Sequence, residues 1–210
     1  MKGVAPLWEK DSEFISLYKR LNGSVLLDKS RAYTLYQLAK RQSDVEGDYL
    51  ELGAYRCGTT LLMASQDNLA KKTIFILDSF EGLPTVSNHD PYWVEGDIGT
   101  VNLDEILQFL SANLTKNINY KIIKGFFPNQ IDLDALNRTF SFIHIDTDLY
   151  QPTLDGLNFF YTKLSPGGVI LVDDFGNMSC PGVEKAVKEF SEVCGVKYIF
   201  LYTGQALFIK

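Results

Sequence analysis

Two apolar runs in this chain end in carboxylates whose spacing could do chemistry. In HIDTDLYQPT, Asp146 and Asp148 are two apart on an extended segment and so point the same way, and VILVDDF ends in the pair Asp173 and Asp174. If the two segments are neighbouring strands, at least three carboxylates converge at one sheet edge. Like charges about 4 Å apart repel by roughly 4 kcal/mol at an effective dielectric near 20, so such a cluster needs protons or a cation. All-oxygen ligands without Cys or His favour Mg²⁺, which keeps positions for water or substrate oxygens. The competing reading has each aspartate capping its own turn or helix with nothing bound.

A second group of residues suits a nucleoside. In ELGAYRCGTT, Glu51 and Gly53 precede a turn into a helix that starts near Gly58 or Thr59. Glycine there permits close backbone approach, and a helix N-terminus offers free N–H groups. The spacing from Gly53 to Gly58, Thr59 and Thr60 mimics a P-loop, but the lysine that would reach the β- and γ-phosphates is missing, which argues against a nucleoside triphosphate. A dinucleotide GxGxxG is absent as well. Asp78 in LDSFEGLP can accept both hydroxyls of a ribose; as a plain turn-former it would do nothing of the kind. The third strand ends in KGFFP, where Phe126 or Phe127 could flank an adenine ring unless both are core. His144, among Phe142, Ile143 and Ile145, reads as a buried, hydrogen-bonded core histidine, and Cys57 as a small residue at a tight turn. No GxSxG elbow supports covalent hydrolysis.

These residues need a scaffold that brings strand ends together. Strands are predicted over 48–54, 73–80, 120–127, 140–148 and 167–175, most of them nearly continuous apolar runs, the pattern of parallel strands covered on both faces. Between them, helical stripes recur at Leu103, Ile106, Leu107, Leu110 and Leu114, at Leu154, Leu157, Tyr161 and Leu164, and at Val183, Val187, Phe190 and Val193. Pro152 and Pro181 suit first turns, and Gly167 and Gly168 read as a stop after the second stripe. Residues 197–203 and 205–210, separated by Gly204, read as an antiparallel hairpin at the sheet edge. The pattern is a doubly wound α/β fold, in which ligands bind beyond the carboxyl ends of the strands. Two helices, around 11–21 and 30–43, with Ser30 as candidate N-cap of the second, would form an N-terminal cover over residues 1–45 of a single domain. The long irregular stretch 84–99 reads as a lid, a substrate loop or a merely mobile loop.

Composition narrows the partners. With 210 residues, 14 Phe and 11 Tyr, the chain has material for one well-filled core. A net charge of −6 without any Lys/Arg cluster argues against nucleic acid and anionic membranes and for a small molecule. Three cysteines in no CxxC pair suggest neither a disulfide framework nor a thiolate zinc site, and two histidines cannot make a three-His site. MKGVAPLWEKDSEF has no apolar export segment, so a cytoplasmic protein is expected; self-association into a homo-oligomer is left open.

ELGAYRCGTT, DSFEGLP, IKGFFP, IDTDLYQPTLDGL, LSPGGVILVDDF and CPGVEKAVKEF, in that order, resemble the macrocin O-methyltransferase (TylF-like) family of S-adenosylmethionine-dependent enzymes, from about residue 25 to the C-terminus. The resemblance implies a Rossmann-like class I methyltransferase with a mostly parallel seven-stranded sheet and an antiparallel C-terminal strand. It implies S-adenosylmethionine and Mg²⁺ as cofactors, and methylation of a small-molecule hydroxyl, on a sugar or glycosylated natural product. A catechol-like acceptor and a non-catalytic binding module are the alternatives. It further implies that Asp146, Asp173 and Asp174 bind the metal, that Asp148 is the general base, and that Glu51, Gly53, Tyr55, Asp78 and Ser79, with Gly125 and Phe126, line the cofactor site. The family's R-G-G after the first strand is Arg56-Cys57-Gly58 here. The chain is also short at its N-terminus and loops, parts that help shape the acceptor pocket, so the acceptor is the least transferable property.

Overall fold

The computed structural model describes residues 6–21, 23–66, 69–114 and 117–210. Its centre is a seven-stranded sheet made of β1 (Asp48–Leu52), β2 (Thr73–Asp78), β3 (Asn119–Lys124), β4 (Phe140–Ile145), β5 (Leu164–Val172), β6 (Tyr198–Phe200) and β7 (Ala206–Ile209). The order across the sheet is β3-β2-β1-β4-β5-β7-β6. β1 to β5 pair in parallel, and β7 runs antiparallel to both β5 and β6. The order reverses between β1 and β4, which places the cleft of this architecture at their carboxyl ends.

Alternation along each strand explains why both faces are covered. Tyr49, Ile74, Ile76 and Phe142 face a layer built from α1 (Ser12–Arg20), α2 (Lys29–Gln42), α3 (Gly58–Ala64) and α4 (Leu103–Asn113). Leu50, Leu52, Phe75, Leu77, Ile143 and Ile145 face the other layer, with Leu157 and Phe160 of α5 (Tyr150–Phe160) and Val183, Val187 and Phe190 of α6 (Pro181–Cys194). Full burial of one such side chain contributes about 1.5–3 kcal/mol, so the two layers fix the sheet firmly. β1 and β4 are buried at every position, whereas β3, at the sheet edge, is buried at none. Among the described residues no helix is long and apolar enough to cross a membrane.

The elements differ from the sequence expectations in instructive places. Every expected parallel strand ends early: residues 53–54, 79–80, 125–127, 146–148 and 173–175 leave the sheet as turns. Positive φ at Gly53, Phe80, Gly125, Asp148 and Asp174 takes the chain out of the extended region there. Ser30 is not the cap of α2. Asp28 is, its carboxylate accepting the N–H of Ser30 at 2.7 Å and of Arg31 at 3.2 Å, because the helix begins one residue earlier than its spacing suggests. Gly167 and Gly168 lie inside β5 and do not stop α5, which ends in a 3₁₀ turn over Tyr161–Lys163. The C-terminal hairpin turns at Gly204, φ +87, but β7 inserts beside β5 and leaves β6 as the edge. The N-terminal helices α1 and α2 pack on one face of the sheet; Tyr49 Oη of β1 donates to Ala39 O of α2 at 2.6 Å.

Candidate active site

A cleft of about 390 Å³ opens at the carboxyl ends of β1, β2, β3, β4 and β5. On its β1 side the chain turns at Gly53, φ +88, where a Cβ would lie 1.9 Å from Asp146 O. The backbones leaving β1 and β4 therefore touch, and only glycine allows it. Tyr55 and Cys57 follow with φ of 48 and 57, left-handed conformations held by non-glycine residues. Cys57 thus occupies a position where glycine would be unstrained, at a cost of about 1–2 kcal/mol. Its buried thiol is pushed well above the usual range by burial and then by the charge of Glu51, which leaves it no nucleophilic role.

Asp78 ends β2 facing the cleft, its carboxylate accepting the backbone N–H of Tyr55 at 2.8 Å and of Phe80 at 2.6 Å. Burial raises its pKa, and these N–H bonds pull the other way. Ser79 lines the cleft, but its hydroxyl donates to Gly82 O at 3.1 Å and accepts from Glu81 N at 3.0 Å, closing its own turn. Gly125, φ +146, has its N–H on Asp78 O at 3.0 Å; Phe126 borders the same space. The neighbouring Phe127 ring stacks on Phe160 at 5.2 Å and is tied to the core. Glu51 is a correction. It does not line the cleft but lies fully buried beneath it, bonded to the Thr60 hydroxyl and, at 2.9 Å, to His144 Nδ1. The outward alternation of β1 gives position 51 to the helix layer, under the turn it was expected to share with Gly53.

The acidic centre sits beside this pocket. Asp146 N donates to Leu52 O at 2.9 Å and Asp173 N to Ile145 O at 2.8 Å, so each aspartate is held by the last rung of the sheet. Asp146 and Asp173 form one group with a ring nitrogen of His144; Asp148, Asp174 and Cys180 form another, ligand atoms in each lying within 4.8 Å of one another. The expected trio of Asp146, Asp173 and Asp174 is thus divided between two groups. Asp173 and Asp174 are rejoined by Arg31 of α2, whose Nη2 contacts Asp173 and lies 2.6 Å from Asp174 Oδ1, with Nε 3.3 Å from Asp173 Oδ1. Gln205 Nε2 donates to Asp173 at 2.7 Å and Asn177 Nδ2 to Asp174 at 2.9 Å.

Burial, then the neighbouring carboxylates, raises Asp146 and Asp148 well above the ordinary carboxylate range. Burial pushes Asp173 up to about 6 against the pull of Arg31. Burial works against the Arg31 charge, but Asp173 and Asp174 outweigh it and hold the guanidinium protonated. These groups fit a divalent cation: the buried Asp173 and Asp174 and the half-buried Asp146 and Asp148 lie in two adjoining sets, which also hold a His144 nitrogen and the Cys180 sulfur and so are not the all-oxygen set expected from the sequence, and the fully buried His144 has no hydrogen-bond partner for Nε2.

The 84–99 stretch forms a wall pinned at both ends. At its base Leu83 N donates to Asp97 O at 2.9 Å and Gly96 N to Leu83 O at 3.0 Å. At its tip Asp90, buried, accepts from Tyr150 N at 2.8 Å, supplying the N-terminal cap that Leu149 cannot give α5. A Cβ on Gly182 of α6 would lie 2.0 Å from Asp90 Oδ1, so the tip is locked between two helices. Leu83, Pro84, Trp93 and Ile98 face the cleft. Trp93 Nε1 is buried without a partner. His89 does not reach the cleft and packs edge-on against Tyr150 at 4.5 Å.

Of the residues singled out in the sequence, Gly53, Tyr55, Asp78, Ser79, Gly125, Phe126, Asp146, Asp148, Asp173 and Asp174 all border this one cleft. Not among those singled out are Arg31, Asp90, Trp93 and Gln205. Only Trp93 carried a usable signal, as one of two tryptophans in the chain and the one within the long loop.

The strand order and the cleft at its reversal are those of the class I methyltransferase fold. The chain belongs to the macrocin-O-methyltransferase (TylF) family, whose pattern matches residues 23–200. It is 29% identical over 159 residues, 70% of this chain and 59% of the relative, to the demethyldecarbamoylnovobiocin O-methyltransferase of Streptomyces niveus. It is 26% identical over 148 residues, 65% of this chain and 56% of the relative, to the 8-demethyl-8-(2,3-dimethoxy-alpha-L-rhamnosyl)-tetracenomycin-C 4'-O-methyltransferase of Streptomyces olivaceus. The chain therefore spans less than two thirds of the length of these curated relatives. Among solved structures, the O-methyltransferase NovP is similar in fold, with a TM-score of 0.74 over 90% of this chain and 83% of that one at 24% identity.

Proposed function

We propose that this chain transfers a methyl group from S-adenosylmethionine, with Mg²⁺ assistance, to a hydroxyl on the sugar of a small glycosylated natural product. The observation that carries this reading is the meeting, in one cleft, of a glycine and acid pocket suited to an adenosine with a buried acidic centre suited to a cation. Asp78 would accept the ribose hydroxyls, Gly53 would let the cofactor backbone approach, and Phe126 would flank the adenine. Asp146, Asp173 and Asp174 would hold Mg²⁺, which supplies positive charge for the acceptor oxygen as it loses its proton. Asp148 takes that proton as the general base. The acceptor oxygen forms its bond to the methyl carbon as the sulfur–carbon bond breaks, and S-adenosylhomocysteine leaves.

The rhamnosyl acceptor named for one relative supports a sugar. Three free cysteines, two of them buried, suit the reducing cytoplasm.

Incubation with methyl-labelled S-adenosylmethionine and a panel of nucleotide sugars, glycosides and catechols tests the reading. Label is expected in a sugar-bearing acceptor, lost with EDTA and restored by Mg²⁺. Label in catechols alone would reassign the acceptor, and transfer indifferent to EDTA would remove the metal.

A further inference from the structure

The acidic centre already contains a cation, and it belongs to the chain. Arg31 reaches Asp173 and Asp174 from a helix 142 and 143 positions earlier in sequence, and its side chain is only 19% exposed. Both oxygens of Asp173 accept from this one guanidinium, Oδ1 from Nε and Oδ2 from Nη2, while Oδ1 also accepts from Gln205. Asp174 Oδ1 is shared between Arg31 and Asn177. A planar fork spanning two carboxylates is the arrangement arginine forms best.

We propose that Arg31 is a resident counter-ion of the metal-ligand carboxylates, which a divalent cation displaces when it binds. The inference rests on the reading of Asp146, Asp173 and Asp174 as metal ligands. Mg²⁺ draws its oxygen ligands to about 2.0–2.1 Å and tolerates little distortion of its octahedron. With Oδ1 accepting from both Arg31 and Gln205, Asp173 keeps a single free lone pair, on the Oδ2 that Arg31 also holds, so it offers an ion a poor ligand while the guanidinium is in place. The guanidinium charge would in addition stand beside the ion's own. Metal entry therefore requires Arg31 to release Asp173, and loss of the metal lets it return, so that the buried carboxylates are never left without positive charge. Release acts on the cleft, because Arg31 stands in the first turn of α2 and the adjoining Leu26 and Leu27 line the same space. The start of that helix is also held by the Asp28 cap, by Trp8, whose Nε1 donates to Ser30 Oγ at 3.3 Å, and by Tyr18, whose hydroxyl donates to Leu27 O at 2.7 Å.

Calorimetric titration of the full chain with MgCl₂ and MnCl₂ tests this without any acceptor. Arg31→Met is expected to bind the ion about tenfold more tightly than wild type, equivalent to about 1.4 kcal/mol. Its unfolding midpoint in EDTA should fall below that of wild type and recover when the ion saturates. Arg31→Lys keeps the charge but loses the fork; its affinity should lie between the two, and it serves if the Met variant does not fold in EDTA. Equal or weaker ion binding by Arg31→Met, or a Lys variant indistinguishable from wild type, overturns displacement while leaving the metal site standing. If neither wild type nor variant binds either ion, the metal reading itself falls, and this inference with it.

Discussion

Asp148→Asn is expected to lower kcat for methyl transfer about a thousandfold, within the range that a positioned general base contributes. The amide is nearly isosteric and keeps the turn at φ +59, so the cleft survives while its proton acceptor is gone. The affinity for S-adenosylhomocysteine should stay within about twofold, since Asp148 reaches no residue of the ribose pocket, and ion binding should persist. The contacts around Asp148 make it the natural acceptor. It borders the cleft, with Cys180 Sγ 3.8 Å from Oδ1 and no arginine fork on its oxygens. A variant retaining wild-type kcat would show that the proton leaves by another route.

Gly53→Ala should produce a severe structural defect, since among the described glycines it meets the shortest clash. The new Cβ would stand 1.9 Å from the backbone oxygen of Asp146 and 2.7 Å from its carbonyl carbon, in a conformation at φ +88 that already disfavours a side chain. Neither strand turn can yield without moving the other, and Asp146 would move with it. A loss of about 3 kcal/mol or more in unfolding free energy is expected from denaturant melts, together with loss of ion and cofactor binding. Gly96→Ala is the control. Its φ is +86 but nothing lies within 4 Å of the added carbon, so only the conformational cost of about 1–2 kcal/mol applies. Equal losses in the two variants would mean that the close approach of β1 and β4 is not what requires glycine.

The parts of this structure legible in the sequence are those that follow from local pattern. β1 and β4 are continuous apolar runs because both faces of the sheet are covered, and α4, α5 and α6 each carry a single apolar stripe. The acidic residues at strand ends were legible for the same reason: a strand that stops being apolar at its carboxyl end announces what it presents. The left-handed conformations of Tyr55, Phe80, Asp148 and Asp174 were not, since each places a non-glycine residue where propensity argues against it. Those turns hold the cleft residues, and strain of this kind gathers at such places.

Long-range pairings left no trace in spacing either. Arg31 and Asp173, or Asp90 and Tyr150, meet only because the sheet order and the loop path bring them together. His144 reads correctly as a buried histidine from its apolar neighbours, but nothing in those neighbours reveals that its partner is Glu51. Glu51 itself looked like part of the ligand turn because it stands two residues from Gly53, and the pleat of β1 turned it the other way.

The central claim is that this cleft receives S-adenosylmethionine through Asp78 and the Gly53 turn. Calorimetric titration with S-adenosylhomocysteine measures it most directly, because the acceptor need not be known. One site per chain is expected, with a dissociation constant on the order of micromolar, weakened about a hundredfold or more in Asp78→Ala, where the ribose loses its carboxylate. Absence of binding to the folded wild-type chain, or equal binding by wild type and Asp78→Ala, would contradict it.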